Sequence, residues 1–183
     1  YMDDVVIKTR HVETLIDDLC LKFDNLRAYD IQLNPEKCVF GVPAGKLLGS
    51  IVSNRGIEAN PAKIRALSQL ATPTDLKQVQ KLVGCVAALS RFISRLGEKA
   101  LPLYRLLWRT DHFKWTDAAT AGLEEIKALL ASNPILGVPS VSEPMLLYIS
   151  ATHQVVSVVL VVEREQDGHK FPLQKPVYYV STV

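Results

Sequence analysis

Apolar side chains recur along this chain with two periods, and the switches between them mark its elements. Val5, Val6 and Ile7 make a short β-branched run that predicts a strand. Val12, Leu15, Ile16, Leu19, Phe23 and Leu26 then share one face of a 3.6-residue period, with Asp17, Asp18, Lys22 and Asp24 outside it. That spacing predicts a helix over residues 11–29. After a turn at residues 30–34, Pro35 leads into a predicted strand at residues 37–40, and residues 47–53 predict a second one before the turn Asn54-Arg55-Gly56. Residues 37–58 thus read as a small antiparallel unit against which the first helix can pack.

Asn60-Pro61 is a helix start, a capping side chain followed by proline at the first helical position, and Ile64 and Leu67 point that helix inward. A longer helix is predicted from Thr74, with Leu76, Val79, Leu82, Val83, Val86, Leu89 and Ile93 as its core face. At 100° per residue the opposite stripe collects Lys77, Lys81, Gly84, Ala88, Arg91 and Arg95 within about 80° of arc. Basic ends around a small-residue centre let a helix backbone approach a groove while long side chains reach phosphates on either side. The competing reading is a solvated helix surface, or one that uses its small residues to meet another helix.

A short helix is predicted at residues 100–108, then a linker at Arg109-Thr110-Asp111-His112, then a helix capped by Thr116 with Leu123, Ile126, Leu129 and Leu130 apolar. Asn133-Pro134 breaks it and residues 137–144 form a loop. From Met145 the period becomes that of strands, at residues 145–149, 155–162 and 176–180, with a polar turn over residues 163–170.

Composition alone says only that the chain is globular, with 48% hydrophobic and 22% charged residues over a length of 183. Charge says more once it is divided. Residues 1–30 carry 4 Lys and Arg against 7 Asp and Glu, residues 31–110 carry 12 against 4, and residues 111–183 carry 5 against 8. The basic middle favours a phosphate backbone as partner over an acidic or neutral one. Cys20, Cys38 and Cys85 show no paired spacing and read as buried thiols of a reducing compartment. No apolar run reaches the length of a membrane span, so a soluble, intracellular protein is expected.

The chemistry-bearing feature is the start, Tyr1-Met2-Asp3-Asp4, where two carboxylates sit at the mouth of the first predicted strand. Paired carboxylates on a rigid strand suit two Mg²⁺ ions that clamp the attacking and leaving oxygens of a phosphoryl transfer. Such a site needs a further carboxylate from another strand, so the chain is expected to be a fragment cut through an active-site hairpin.

Tyr1-Met2-Asp3-Asp4 resembles the catalytic box of retroviral-type reverse transcriptases. The order of Leu33-Asn34-Pro35-Glu36-Lys37-Cys38-Val39-Phe40, Leu48-Gly49-Ser50-Ile51-Val52-Ser53-Asn54-Arg55-Gly56-Ile57, Pro61-Ala62-Lys63-Ile64, Leu82-Val83-Gly84, Arg91-Phe92-Ile93 and Phe113-Lys114-Trp115 resembles the Pol polyproteins of gypsy-type long-terminal-repeat retrotransposons across essentially the whole chain. The resemblance implies an α+β fold: the C-terminal part of a right-hand polymerase palm at residues 1–60, a helical thumb at residues 61–110, and a partial, degenerate RNase H-like α/β domain at residues 111–183. It implies an RNA-directed DNA polymerase as the parent, using two Mg²⁺ ions and deoxynucleoside triphosphates on an RNA or DNA template–primer, within a longer polyprotein.

By the same resemblance Asp3 is the more direct metal ligand and Asp4 the supporting charge, while Tyr1 and Met2 line the meeting place of primer end and nucleotide. Leu48, Gly49, Ser50 and Gly56 hold the primer, and Lys63, Arg65, Lys77, Lys81, Arg91 and Arg95 meet the nucleic-acid backbone. Physically, a glycine-bearing hairpin suits close approach to a phosphate, although an ordinary tight turn has the same composition. Ser150 stands where the RNase H-like domain of the family carries its first metal-binding aspartate, and a neutral hydroxyl is a poor replacement for an anionic ligand. Glu163, Glu165 and Asp167 read as a solvated turn, His11 as a helix-start residue, and Trp108 and Trp115 as packing residues. The alternatives are a non-catalytic nucleic-acid-binding module and a structural domain with a solvated basic face.

Overall fold

The computed structural model describes residues 5–9, 11–108 and 113–183. The catalytic-box positions Tyr1, Met2, Asp3 and Asp4, and the linker positions Asp111 and His112, lie outside the described residues. Among the described residues five α-helices, α1 (Leu15–Ala28), α2 (Pro61–Ser68), α3 (Leu76–Ala87), α4 (Leu96–Trp108) and α5 (Asp117–Ala131), accompany seven strands. These are β1 (Ala44–Leu47), β2 (Ser50–Ser53), β3 (Gly56–Ala59), β4 (Ile135–Leu136), β5 (Met145–Ala151), β6 (Val156–Arg164) and β7 (Leu173–Thr182). They form two antiparallel sheets, ordered β1-β2-β3-β4 and β5-β6-β7.

Local signals set the helix ends. The Asn60 side chain accepts from the Ala62 amide at 2.9 Å with Pro61 behind it, and Thr116 accepts from the Ala119 amide at 3.2 Å. At α3 the Asp75 side chain accepts from the Gln78 amide at 2.8 Å, and the Gln78 side chain accepts from the Thr74 amide at 3.1 Å, which gives a reciprocal cap. Asn133, at φ 52°, takes the left-handed conformation that closes α5 before Pro134.

One hydrophobic core joins α2 to α5 with the edge of the first sheet. Leu67, Val79, Leu82, Val86, Leu103, Ile126, Leu130 and Leu136 are all buried in it. Truncating one such leucine to alanine costs about 2–5 kcal/mol. Strand β4, which follows α5, pairs Ile135 with Glu58 and Leu136 with Ile57. The next amide, of Gly137, donates to the Pro176 carbonyl on β7 at 2.7 Å, so the two sheets meet there.

Several sequence expectations are corrected. Val5, Val6 and Ile7 form no strand, because no other described segment pairs with them. Residues 37–40 are not a strand either: Pro35–Lys37 is a 3-10 turn, held by the Asn34 side chain accepting from the Glu36 amide at 3.0 Å. The single strand expected at residues 47–53 is a hairpin, with Leu48 and Gly49 as its two-residue turn. The first helix does not pack as expected; α1 buries none of its residues, and Val12 and Ile16 remain 83% and 65% exposed. Phe23 of α1 stands edge-on to Phe40, at 6.4 Å between centroids. Cys20 is exposed, and Cys38 and Cys85 are half-buried, not fully buried. No described helix is long and apolar enough to cross a membrane.

Candidate nucleic-acid interface

The site begins at the hairpin between β1 and β2. Leu48 and Gly49 have φ of 47° and 77°, the paired positive values of a type I′ turn. Glycine takes that conformation freely. A leucine pays for it in steric strain, and Leu48 is also 80% exposed. Lys63, in the first turns of α2, lays its ammonium over Gly49, so that a Cβ built on the glycine would lie 2.6 Å from Nζ. Packing therefore brings Gly49 and Lys63 together, two residues singled out separately in the sequence. Ser50 opens β2 and is buried. Arg65, two residues on and so on the opposite side of α2 from Lys63, is exposed.

Gly56 has a different surrounding. Its φ is 135°, and the space a side chain would take is filled by the Leu136 carbonyl of β4. The glycine there admits a neighbouring strand of its own chain, so its open side faces protein. Beyond it, buried Glu58 accepts from Arg55 Nη2 at 2.9 and 3.2 Å and from the Ser53 hydroxyl at 3.3 Å.

The predicted basic stripe is divided by the backbone. Helix α3 stops at Ala87, where the expectation runs to Ile93, and a 3-10 turn at Ser90–Phe92 redirects the chain. Arg95 then has φ 54°, so Arg91 and Arg95 do not continue the face of α3. Lys77, Lys81, Gly84 and Ala88 are exposed, and no atom lies within 4 Å of where a Gly84 Cβ would be. Among the described residues neither Lys77 nor Lys81 has a carboxylate at ion-pair distance. Arg91 instead places its guanidinium over the Tyr178 ring, 5.4 Å from the centroid. Arg95 pairs with Glu98, which lowers the glutamate's pKa and raises the arginine's through their hydrogen bond.

Ser150 lies on β5, opposite Ser157 of β6, which is in turn opposite Ser181 of β7. Directly opposed residues of an antiparallel pair share a face, so the three hydroxyls form one cross-strand row. Ser150 is exposed, and Ser157 is buried with its Oγ 2.7 Å from that of Ser181. Neutral hydroxyls are a poor donor set for a bridging divalent cation, and this row does not fit a metal-dependent nuclease centre. No group of three or more His, Cys, Asp or Glu side chains that could hold a metal occurs among the described residues.

No protein-family model matches the chain. It is 27% identical over 192 residues to the retrovirus-related Pol polyprotein from transposon opus of Drosophila melanogaster, covering 99% of this chain and 18% of that protein. It is 29% identical over 185 residues to the Transposon Tf2-3 polyprotein of Schizosaccharomyces pombe, covering 99% of this chain and 13% of that one. The chain thus spans less than a fifth of the length of either relative. Among solved structures it superposes with a TM-score of 0.79 on a foamy viral protease-reverse transcriptase in complex with double-stranded DNA, at 22% identity over 97% of this chain and 30% of that one. A foamy viral protease-reverse transcriptase in complex with an RNA/DNA hybrid gives a TM-score of 0.77 at 20% identity, over 96% of this chain and 23% of that one. The hairpin, the helices and the second sheet all fall within that superposition, and the sequence matches run through nearly the whole chain: it is a homologue of part of the Pol polyproteins of retrotransposons, with a mixed α and β fold that resembles retroviral reverse transcriptase.

Proposed function

We propose that this chain serves in an RNA-directed DNA polymerase as the part that grips the template–primer duplex. The observation that carries the reading is the open face of α3, where Lys77 and Lys81 have no carboxylate among the described residues at ion-pair distance and lie beside the bare backbone at Gly84. Lysines without internal partners can neutralise phosphates without first breaking an ion pair, and such contact is independent of sequence, as copying any template requires. The strained, exposed Leu48-Gly49 turn with the Lys63 ammonium above it supplies a second contact of the same kind.

In this reading residues 1–60 stand for the end of the palm, residues 61–110 for the thumb and residues 111–183 for the start of an RNase H-like unit. Helix α5 and β4 pack into the thumb's own core, which leaves β5, β6 and β7 as the RNase H-like part proper. Nucleotide addition belongs to the whole polymerase, with deoxynucleoside triphosphates as substrates and a cytoplasmic particle as its setting. Asp3 and Asp4 are the residue types that would hold Mg²⁺ and let it stabilise charge on the transferring phosphoryl group. The serine row at Ser150 gives no support to hybrid cleavage, and no nuclease step is assigned to it.

Fluorescence anisotropy of a labelled RNA/DNA template–primer titrated with the 183-residue chain tests the reading. Saturable binding to hybrid and to double-stranded DNA, in preference to a single strand of the same length, is expected. Equal binding to all three would reduce the chain to a general polyanion binder.

A further inference from the structure

The first turn of α4 is capped from far along the chain. The Gly97 amide donates to Ser181 Oγ on β7 at 2.8 Å, across 84 positions of sequence. First-turn amides have no partner within their own helix, and a hydroxyl from a strand here takes the place of a local cap. Ser181 is itself held by the buried Ser157 hydroxyl at 2.7 Å. Gly97 is buried too, and a Cβ there would lie 2.6 Å from Val155 Cγ1 and 2.7 Å from Ser181 Oγ, so only a glycine lets the helix start touch the sheet this closely. Two further contacts of different chemistry flank the seam. Arg91, just before α4, covers Tyr178 on β7, and Arg105 Nη2, within α4, donates to Gln154 Oε1 at 2.8 Å.

We propose that this seam is a lock: Ser181 acts as the remote cap of α4, and the helices α3 and α4 move with the sheet β5-β6-β7 as one rigid body. The lock joins β7 and β6 in the row of strands that carries Ser150, so the lysine face of α3 and the Ser150 position are held at a constant separation. That functional consequence rests on α3 being the duplex-binding face. The lock itself does not.

The test places nitroxide spin labels at Gln80→Cys on α3 and Ser150→Cys on β5, both exposed, in a chain whose Cys20, Cys38 and Cys85 are replaced. Pulsed electron–electron resonance is expected to give one narrow distance distribution, which broadens in Gly97→Leu. Ser181→Ala adds no atoms and removes the cap, and its Gly97 amide is expected to exchange with solvent about tenfold faster, the effect of one lost hydrogen bond. Should Gly97→Leu fail to fold, the Ser181→Ala exchange rate still decides. A broad or double distribution in the otherwise unchanged chain overturns the lock, as does an unchanged Gly97 exchange rate in Ser181→Ala. Duplex affinity of the Ser181→Ala chain is expected to stay as it was, which separates failure of the lock from failure of the binding reading.

Discussion

The Lys63 ammonium occupies the space that a side chain at Gly49 would need, 2.6 Å from the position of its Cβ. Helix α2 and the β1–β2 hairpin therefore present one basic point through two elements. Gly49→Ala puts a methyl group at positive φ, which costs about 1 kcal/mol, and pushes the flexible lysine aside. In urea denaturation Gly49→Ala is expected to be destabilised by that amount and to bind template–primer more weakly. In a Lys63→Ala background the binding loss from Gly49→Ala is expected to vanish, a coupling that a double-mutant cycle reads directly. Leu48→Asn, which suits the first position of a type I′ turn, is expected to raise stability by about 0.5–1 kcal/mol.

At Gly56 the constraint is internal. With φ at 135° and the Leu136 carbonyl in the way, Gly56→Ala strains the backbone and parts β4 from β3. A loss of roughly 3 kcal/mol or more is expected. Gly45→Ala on exposed β1, with nothing within 4 Å of its added carbon, is expected to stay within about 0.5 kcal/mol of the parent. Equal losses from the two substitutions in chemical denaturation would contradict the pairing.

The caps and the apolar face of α3 were legible because their signals are local. Asn60-Pro61 and Thr116 cap where the sequence says, Asp75 caps one residue after the start predicted at Thr74, and Leu89 and Ile93 are buried as the period requires. That period nevertheless overstated the helix, since burial needs only a side chain pointing inward, and the 3-10 turn at Ser90–Phe92 delivers it without α geometry. The Leu48-Gly49 turn was missed because leucine carries no turn signal, and β4 because two residues after a proline become a strand only through a partner far back in the chain. Of the site, Lys77, Lys81 and Gly84 could be read from helical spacing. The approach of Lys63 to Gly49, and the diversion of Arg91 to Tyr178, are tertiary and leave no trace in spacing.

Glu143 provides a pH handle on the second sheet. Its carboxylate accepts from Arg164 Nε at 2.7 Å and Nη2 at 2.8 Å, and from the Ser140 amide at 2.7 Å. The Arg164 hydrogen bond, then the Ser140 amide, pull its pKa from 4.5 down to about 2. A carboxyl depressed on folding stabilises the folded state above its unfolded pKa and loses that contribution as pH falls through the folded value. The parent chain is therefore expected to melt higher than Glu143→Gln at pH 6, with the difference shrinking from about pH 4.5 downward and nearly gone at about pH 2. A difference independent of pH would place the effect in packing.

Primer extension separates the grip from the chemistry. Two adjacent carboxylates, Asp3 and Asp4, are too few ligands for two Mg²⁺ ions. The 183-residue chain with Mg²⁺ and deoxynucleoside triphosphates is expected to extend a primer no more than its D3A/D4A variant does. Template-dependent extension above that control would show that other residues of this chain complete the site.

The central claim is that Lys63 beside the β1–β2 hairpin and Lys77 and Lys81 on α3 hold the duplex by its phosphates, and salt dependence tests it most directly. Each neutralised phosphate contributes about 0.9 to the slope of log affinity against log salt for B-form DNA. The Lys63→Ala, Lys77→Ala, Lys81→Ala triple variant is thus expected to bind double-stranded template–primer with a slope shallower by roughly 2–3. Arg91→Ala with Arg95→Ala, whose guanidinium groups are engaged by Tyr178 and Glu98, is expected to leave the slope close to that of the parent. A triple variant that keeps its fold and the parent's slope would contradict the account.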